Sequence, residues 1–174
     1  MGTSETKINL ENLKAMFLEA NRAFLENHVI LIRRKISERC LCGALMYELN
    51  KQLEKNAYNN YYADIEFNRA FENTINNVKH LPDEEGTPKR VFPDIIVHSR
   101  GKVTPDNLLA IEMKKSTARK EAKERDKNRL SLLTSSYPYK YKLGVYYEIN
   151  NKRRQILVEF YQNSEKIEEK ILEL

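Results

Sequence analysis

Long hydrophobic runs are missing from this chain. Its apolar stretches fall far short of the roughly 18 to 20 residues that a membrane span needs, so no membrane association is expected. The start of the chain lacks the basic-then-apolar layout of a secretory signal, which makes the cytoplasm the expected location. "MGTSET" meets only the loose pattern for N-terminal myristoylation, with acidic Glu5 close behind, and an ordinary start is expected. Cysteine is scarce too. Cys40 and Cys42 stand two apart in a helical pattern, where side chains point nearly opposite ways. That suits neither a mutual disulfide nor a zinc site, so reduced, packed thiols are expected. No repeat, low-complexity block or Gly/Ser linker divides the 174 residues, and residues 1–174 read as a single domain.

Charge is plentiful. Charged residues make up 32% of the chain and hydrophobic ones 41%, the balance of a soluble globular protein rather than a disordered one. The net charge of +5 and pI near 9.1 lean toward polyanionic partners, which basic side chains bind with release of counterions.

Periodicity orders the chain. Leu10, Leu13, Phe17, Ala20 and Phe24 recur at helical steps and predict a helix over 9–26, followed by an apolar bridge, "HVILIRR", of either type. Ser37 reads as the N-cap of a second helix running to about Glu54, with Leu41, Leu45, Leu49 and Leu53 as its buried stripe. Glu38 falls on that inward stripe. An acid in the first turn is also favoured by the helix dipole alone, and both readings stand. "YYADIEFNR" alternates, placing Ala63, Ile65 and Phe67 on one face and Tyr62, Asp64 and Glu66 on the other. Residues 70–90 are polar and predict a long mobile connection.

Two strands are expected near 91–99 and 107–115. The turn-rich "RGKVTPDN" between them predicts an antiparallel pair. A helix follows from Ser116 to about Ser135. "YKLGVYYEI" and "RQILVEFYQ" read as a further hairpin, and Ser164 as the cap of a short C-terminal helix. The fold class is α/β in the mixed α+β sense, a central mixed sheet of about five strands flanked by helices, with 1–36 as an N-terminal helical extension.

Charges inside the apolar runs raise the question of chemistry. In a strand Glu112 and Lys114 share one face, about 6 to 7 Å apart along the backbone, while Leu109, Ile111 and Met113 face the other way. An ionised carboxylate and an ammonium on such a strand are costly unless paired or holding an ion. A plain salt bridge is the ordinary reading. Asp94, inside the run expected to pair with this strand, points to more, since several carboxylates converging on one sheet edge suit Mg²⁺ and a phosphate. A neighbouring lysine orients or deprotonates water and offsets phosphate charge.

These residues carry a resemblance. "FPDII" followed by "LLAIEMKK" resembles the PD-(D/E)xK nuclease superfamily, with Pro93-Asp94 and Glu112-x-Lys114 as the motif. "SERCLCGALMYEL" with Glu38 is similar to that family's first motif, and "DIEFNR" to the strand that follows it. The helix and strand order over 37–149 agrees with the family's core.

The resemblance implies a restriction-endonuclease-like core and a Mg²⁺-dependent phosphodiesterase, with Mn²⁺ able to substitute. Asp94, Glu112 and the backbone carbonyl of Met113 would be metal ligands, Lys114 the catalytic lysine and Glu38 an auxiliary acid. Nucleic acid, DNA before RNA, is the implied substrate.

For phosphate contact the candidates are Arg69, Lys115, Arg119 and Lys127, with Asp126 beside the last. Arg69 has a second reading as a partner of Glu66, and most charges of the 116–135 helix also read as a solvated face with helical ion pairs. His98 reads as structural, and the tyrosines of "SSYPYKYKLGVYYEI" as packing. The alternative function is a catalytically silent module that binds nucleic acid or protein. A homodimer, with the first helix packing across it, fits either function.

Overall fold

The computed structural model describes residues 8–69, 78–83 and 85–174. Helix α1, Leu10–Arg33, opens on Asn9, whose side chain accepts the Asn12 N–H at 2.8 Å. That satisfies one of the donors a helix start leaves without a partner. Its buried stripe is Leu13, Met16, Phe17, Ala20 and Phe24. The expected end near residue 26 is too early, because "HVILIR" continues the same helix. β-branched residues disfavour a helix only slightly. Here Asn27 and His28 are held by Glu48 of the next helix at 3.0 Å each, and that contact prevails.

Helix α2, Glu38–Lys55, starts at the predicted cap Ser37 and buries the predicted Leu41, Leu45, Leu49 and Leu53. Each such leucine contributes about 1.5–3 kcal/mol by leaving water. The thiols divide. Both are free, but Cys40 is exposed and only Cys42 is packed, its Sγ 3.8 Å from Met113 Sδ.

Strand β1, Tyr62–Ile65, is shorter than "YYADIEFNR" suggests. Glu66 takes φ of 49°, so the alternation breaks there. Phe67 then packs against His98 on the opposite face from Ala63 and Ile65, with ring centroids 4.5 Å apart. Of the connection 70–90, residues 70–77 and 84 lie outside the described residues. The rest is not a plain loop. Strands β2, His80–Pro82, and β3, Pro88–Arg90, form a hairpin. Asp83 closes it by accepting the Glu85 and Thr87 N–H groups at 3.0 and 2.8 Å.

Strands β4, Ile95–His98, and β5, Asn107–Lys115, pair antiparallel as predicted. Helix α3, Lys120–Leu133, then crosses to β6, Leu143–Asn150, which lies parallel to β5. Strands β7, Gln155–Gln162, and β8, Glu165–Glu173, follow antiparallel. The main sheet has six strands in the order β1-β4-β5-β6-β7-β8, so it is mixed, as expected, and larger than expected.

The sixth strand replaces the expected C-terminal helix. Asn163 and Ser164 have φ of 50° and 71° and sit between the paired Gln162 and Glu165. Two successive left-handed residues make the tight turn that joins twisted antiparallel strands. "EKIEEKILEL" consists of good helix formers, but the open edge of β7 offers a ladder of hydrogen bonds that outweighs local preference. The Lys and Glu side chains suit an exposed edge.

Helices α1 and α2 cover one face of the sheet, packed on Leu109, Ile111, Met113, Val145, Tyr147 and Phe160. Phe17 meets Tyr147 and Phe160 edge-on at 6.2 and 5.9 Å. The apolar stripe of α1 is therefore consumed within its own chain and does not present a dimer surface. Helix α3 covers the other face, with Leu130 and Leu133 against Ile96, Ala110 and Tyr146. At Gly144 a Cβ would stand 3.0 Å from Thr134 Cγ2 and 3.1 Å from Tyr161 Cβ, so glycine lets the end of α3 approach β6. Among the described residues no helix is long and apolar enough to cross a membrane.

Candidate active site

The α3 side of the sheet carries the charges that the sequence placed inside strands. Glu112 projects from β5 with no exposed surface, and Arg129 of α3 donates to its Oε1 at 3.0 Å. Its Oε2 is buried without a hydrogen-bond partner. Asp94 lies just before β4, opposite this part of β5, and its Oδ2 accepts the Met113 N–H at 2.7 Å. Lys114 reaches Asp126 Oδ2 of α3 at 2.8 Å and stands 3.7 Å from Glu38 Oε2. Glu38 enters from the first turn of α2, where its Oε1 accepts the Lys115 N–H at 2.9 Å. The structure thus brings Asp94, Glu112, Lys114 and Glu38 together, from three segments of the chain.

Two further members come from α3. Asp126 lies on the same buried stripe as Leu130 and Leu133, and Arg129 is within 3.6 Å of Asp126 Oδ1. The sequence offered Asp126 only beside Lys127 for phosphate contact, although its spacing of four and seven residues before Leu130 and Leu133 is the signal that puts it on the buried stripe. Arg129 was not singled out, although it stands three residues further along the same helix.

The electrostatics follow from this arrangement. Burial raises the pKa of Glu112 well above the glutamate range; Arg129 opposes that, and the nearby Asp94 and Asp126 add to it. Burial likewise raises Asp94, against the Met113 N–H and the Lys114 ammonium. Burial works to lower Lys114, but its bond to Asp126 and the charges of Asp94 and Glu38 outweigh it, and its pKa ends above that of an ordinary lysine. Lys114 is therefore an ammonium here, suited to donate to water or phosphate rather than to take a proton. Four carboxyl groups, Glu38, Asp94, Glu112 and Asp126, face two cations, Lys114 and Arg129, which leaves a formal charge of −2 when all are ionised.

A hard divalent cation fits that excess and the donors present. Mg²⁺ takes one or two carboxylates and keeps several waters, so it does not need a cage of protein ligands. Among the described residues no three His, Cys, Asp or Glu side chains form a ready ligand cluster. The open donor is the buried Glu112 Oε2, with Asp94 next to it. The Met113 carbonyl already has a cation nearby, the Lys114 ammonium at 3.4 Å.

Of the other predicted residues, Lys115 stays beside the site through its backbone N–H on Glu38, and the rest disperse. Lys127 holds Glu159 of β7, two strands away from Glu112, at 2.9 Å, and lies 4.8 Å from the ring centroid of Tyr146. Arg119 is exposed at the N-cap of α3. Lys115 donates through Nζ to the Lys35 carbonyl at 3.2 Å. Arg69 is exposed and its backbone bridges to Val78; Glu66 pairs instead with Arg39 at 3.1 Å. His98 is structural, as expected. It is buried against Asp64 at 2.9 Å, and Arg100 grips the same carboxylate at 2.9 and 2.6 Å.

A cleft of about 760 Å³ runs between α3 and the β2–β3 hairpin. Arg90, Arg125 and Arg129 line it beside Leu81, Val91 and Leu132, so it opens onto the guanidinium that holds Glu112. No protein-family model, curated protein or solved structure matches this chain.

Proposed function

We propose that the protein is a metal-dependent phosphodiesterase acting on nucleic acid, DNA before RNA, on a restriction-endonuclease-like core. One observation carries this reading: a fully buried glutamate, Glu112, with an unpartnered oxygen beside Asp94 and an ammonium two residues along the same strand. Such a group is costly to bury and is expected where it has work to do. The succession of α2, an antiparallel β1-β4-β5 unit, the α3 crossover and a parallel β6 supports the core assignment.

Asp94, Glu112 and the Met113 carbonyl would hold Mg²⁺, with Glu38 contributing from the side. A bound Mg²⁺ supplies charge stabilisation on the phosphate and a more nucleophilic water at neutral pH. The chain's own groups do the rest. Lys114, kept protonated by Asp126, donates to the attacking water or a phosphate oxygen and so orients the water for attack. Arg129 is placed to leave Glu112 and follow a phosphate oxygen into the cleft, where its planar fork matches two oxygens at once. Water attacks phosphorus, the P–O bond to the leaving alkoxide breaks, and a phosphate monoester and an alcohol result.

A second reading has one observation in its favour. Glu112–Arg129 and Lys114–Asp126 already form close ion pairs, which is also how a silent nucleic-acid or protein binder would store these charges. Cleavage of plasmid, linear duplex and single strand in Mg²⁺, Mn²⁺ and EDTA separates the two, run beside Asp94→Asn and Lys114→Ala. Metal-dependent cutting that is absent from both folded variants supports the enzyme. Mn²⁺ binding without cutting, or no binding at all, turns the reading toward the silent module.

A further inference from the structure

Three basic segments that are far apart in sequence meet at one end of the sheet. The first is Arg33 to Lys35, all exposed, where α1 ends and Lys35 takes φ of 55°. The second is Lys115 at the end of β5. The third is Lys152 to Arg154, all exposed, in the turn between β6 and β7. Because β6 runs parallel to β5, Lys115 is level with Ile149, and the turn begins just beyond it. Lys115 Nζ donates to the Lys35 carbonyl at 3.2 Å, which ties the first segment to the second. Arg33, Lys35 and Arg154 line one hollow of about 450 Å³, which ties the first to the third.

The rim joins the site directly. The backbone N–H of Lys115 is held by Glu38, whose other oxygen faces Lys114. The cations differ in their pairing. Lys114, Lys123, Lys127 and Arg129 all stand in ion pairs on the α3 side. Among the described residues none of Arg33, Lys35, Lys152, Arg153 and Arg154 does. "RRKIS" and "NNKRR" contain no acid and no aromatic residue. Unpaired, exposed positive charge without stacking side chains suits the phosphates of a duplex better than the bases of a single strand.

We infer that this rim binds the phosphate backbone of double-stranded nucleic acid and positions it against the Asp94–Glu112 site. The inference rests on the proposed action on nucleic acid, and it adds the substrate form and the surface that holds it. The rim contacts phosphates only, so it confers affinity and register rather than base preference.

The test is the binding of a fluorescent DNA duplex in EDTA, by anisotropy, across about 50 to 200 mM salt. Wild type is compared with Arg33→Glu/Lys35→Glu/Arg154→Glu and with the milder glutamine triple, both checked for native melting. Loss of three phosphate contacts lowers the slope of log affinity against log salt by about 2.7 in both triples and weakens binding at least tenfold in the glutamate triple, less in the glutamine one. Metal-dependent hydrolysis of bis(p-nitrophenyl) phosphate, too small to reach the rim, stays at the wild-type level.

Unchanged duplex affinity and slope in the folded variants overturns the rim, whether or not the protein cuts. Tighter binding to phosphatidylserine vesicles than to duplex, lost in the same variants, overturns it in favour of a membrane surface. Duplex binding through the rim by a wild type that hydrolyses neither substrate upholds the rim and sinks the nuclease reading instead.

Discussion

Glu112→Gln should make the metal-free protein more stable while abolishing the proposed metal-dependent cleavage. Glutamine keeps the size of the side chain and an oxygen to accept the Arg129 N–H, so it opens no cavity. It removes the charge that burial and the neighbouring Asp94 and Asp126 make unfavourable. Each unit by which a carboxyl's folded pKa exceeds its unfolded one costs about 1.4 kcal/mol at neutral pH. Against this stands the loss of a charged pair with Arg129, but that guanidinium is partly exposed and keeps Asp126 at 3.6 Å, so we expect a net gain of about 1–2 kcal/mol. For a chain of this size that is a rise in melting temperature of about 2–8 °C.

The pH dependence has a definite sign. Folded Glu112 keeps its proton to a higher pH than the unfolded chain does. The stability present below the ordinary glutamate value of 4.5 is therefore lost as pH rises toward the folded pKa. The glutamine protein has no such loss, so the gap between the two opens above that value and closes below it. On the proposed metal-binding reading, a divalent cation should reverse the comparison. Bound there, Mn²⁺ at a hundredfold excess over its dissociation constant should stabilise wild type by about 2.7 kcal/mol, which is about 5–11 °C in melting temperature, and should leave the variant unmoved. Thermal melts at several pH values, with EDTA or Mn²⁺, test both halves. A variant that melts below wild type at neutral pH without metal, or that gains as much from Mn²⁺, refutes the reasoning.

Phe17→Ala should cost about 3–5 kcal/mol in urea unfolding, because its ring is buried between Tyr147 and Phe160. By the same logic a chain lacking residues 1–36 should give no cooperative transition; a folded truncation would make α1 dispensable. Burial, along with the charge of Lys79, lowers the His98 pKa despite Asp64, so stability should fall as pH drops below the ordinary histidine value of 6.5. His98→Gln should flatten that part of the stability profile, and an unchanged profile would remove His98 from the account. Gly144→Val should cost about 1–3 kcal/mol by pushing Thr134 and Tyr161 from β6, and wild-type stability in that variant would show that α3 can yield.

What was legible in the sequence is what short periods encode. The leucines of α2 and the cap at Ser37 follow from helical spacing. Alternation along "LLAIEMKK" placed Glu112 and Lys114 on one face, with Ile111 and Met113 on the other, and β5 does this. A charge in an apolar strand is conspicuous because burying it unpaired is so unfavourable, which is why Asp94 and Glu112 stood out. The sequence alone thus determined the type of most elements and the residues most worth watching.

Tertiary structure decided the rest. "EKIEEKILEL" became a strand because a neighbouring edge with unsatisfied hydrogen bonds outweighs a propensity of a few tenths of a kcal/mol per residue. "HVILIR" joined α1 because Glu48 on another helix holds Asn27 and His28. Phe67 took the opposite face because one left-handed residue, Glu66, breaks the alternation just before it. The pairing of Lys114 with Asp126 and Glu112 with Arg129, and the meeting of Arg33 with Arg154, depend on which segments pack side by side. Local spacing carries no information about such distances. They are set when the whole chain buries its apolar faces, and charged groups then take the partners that burial leaves within reach.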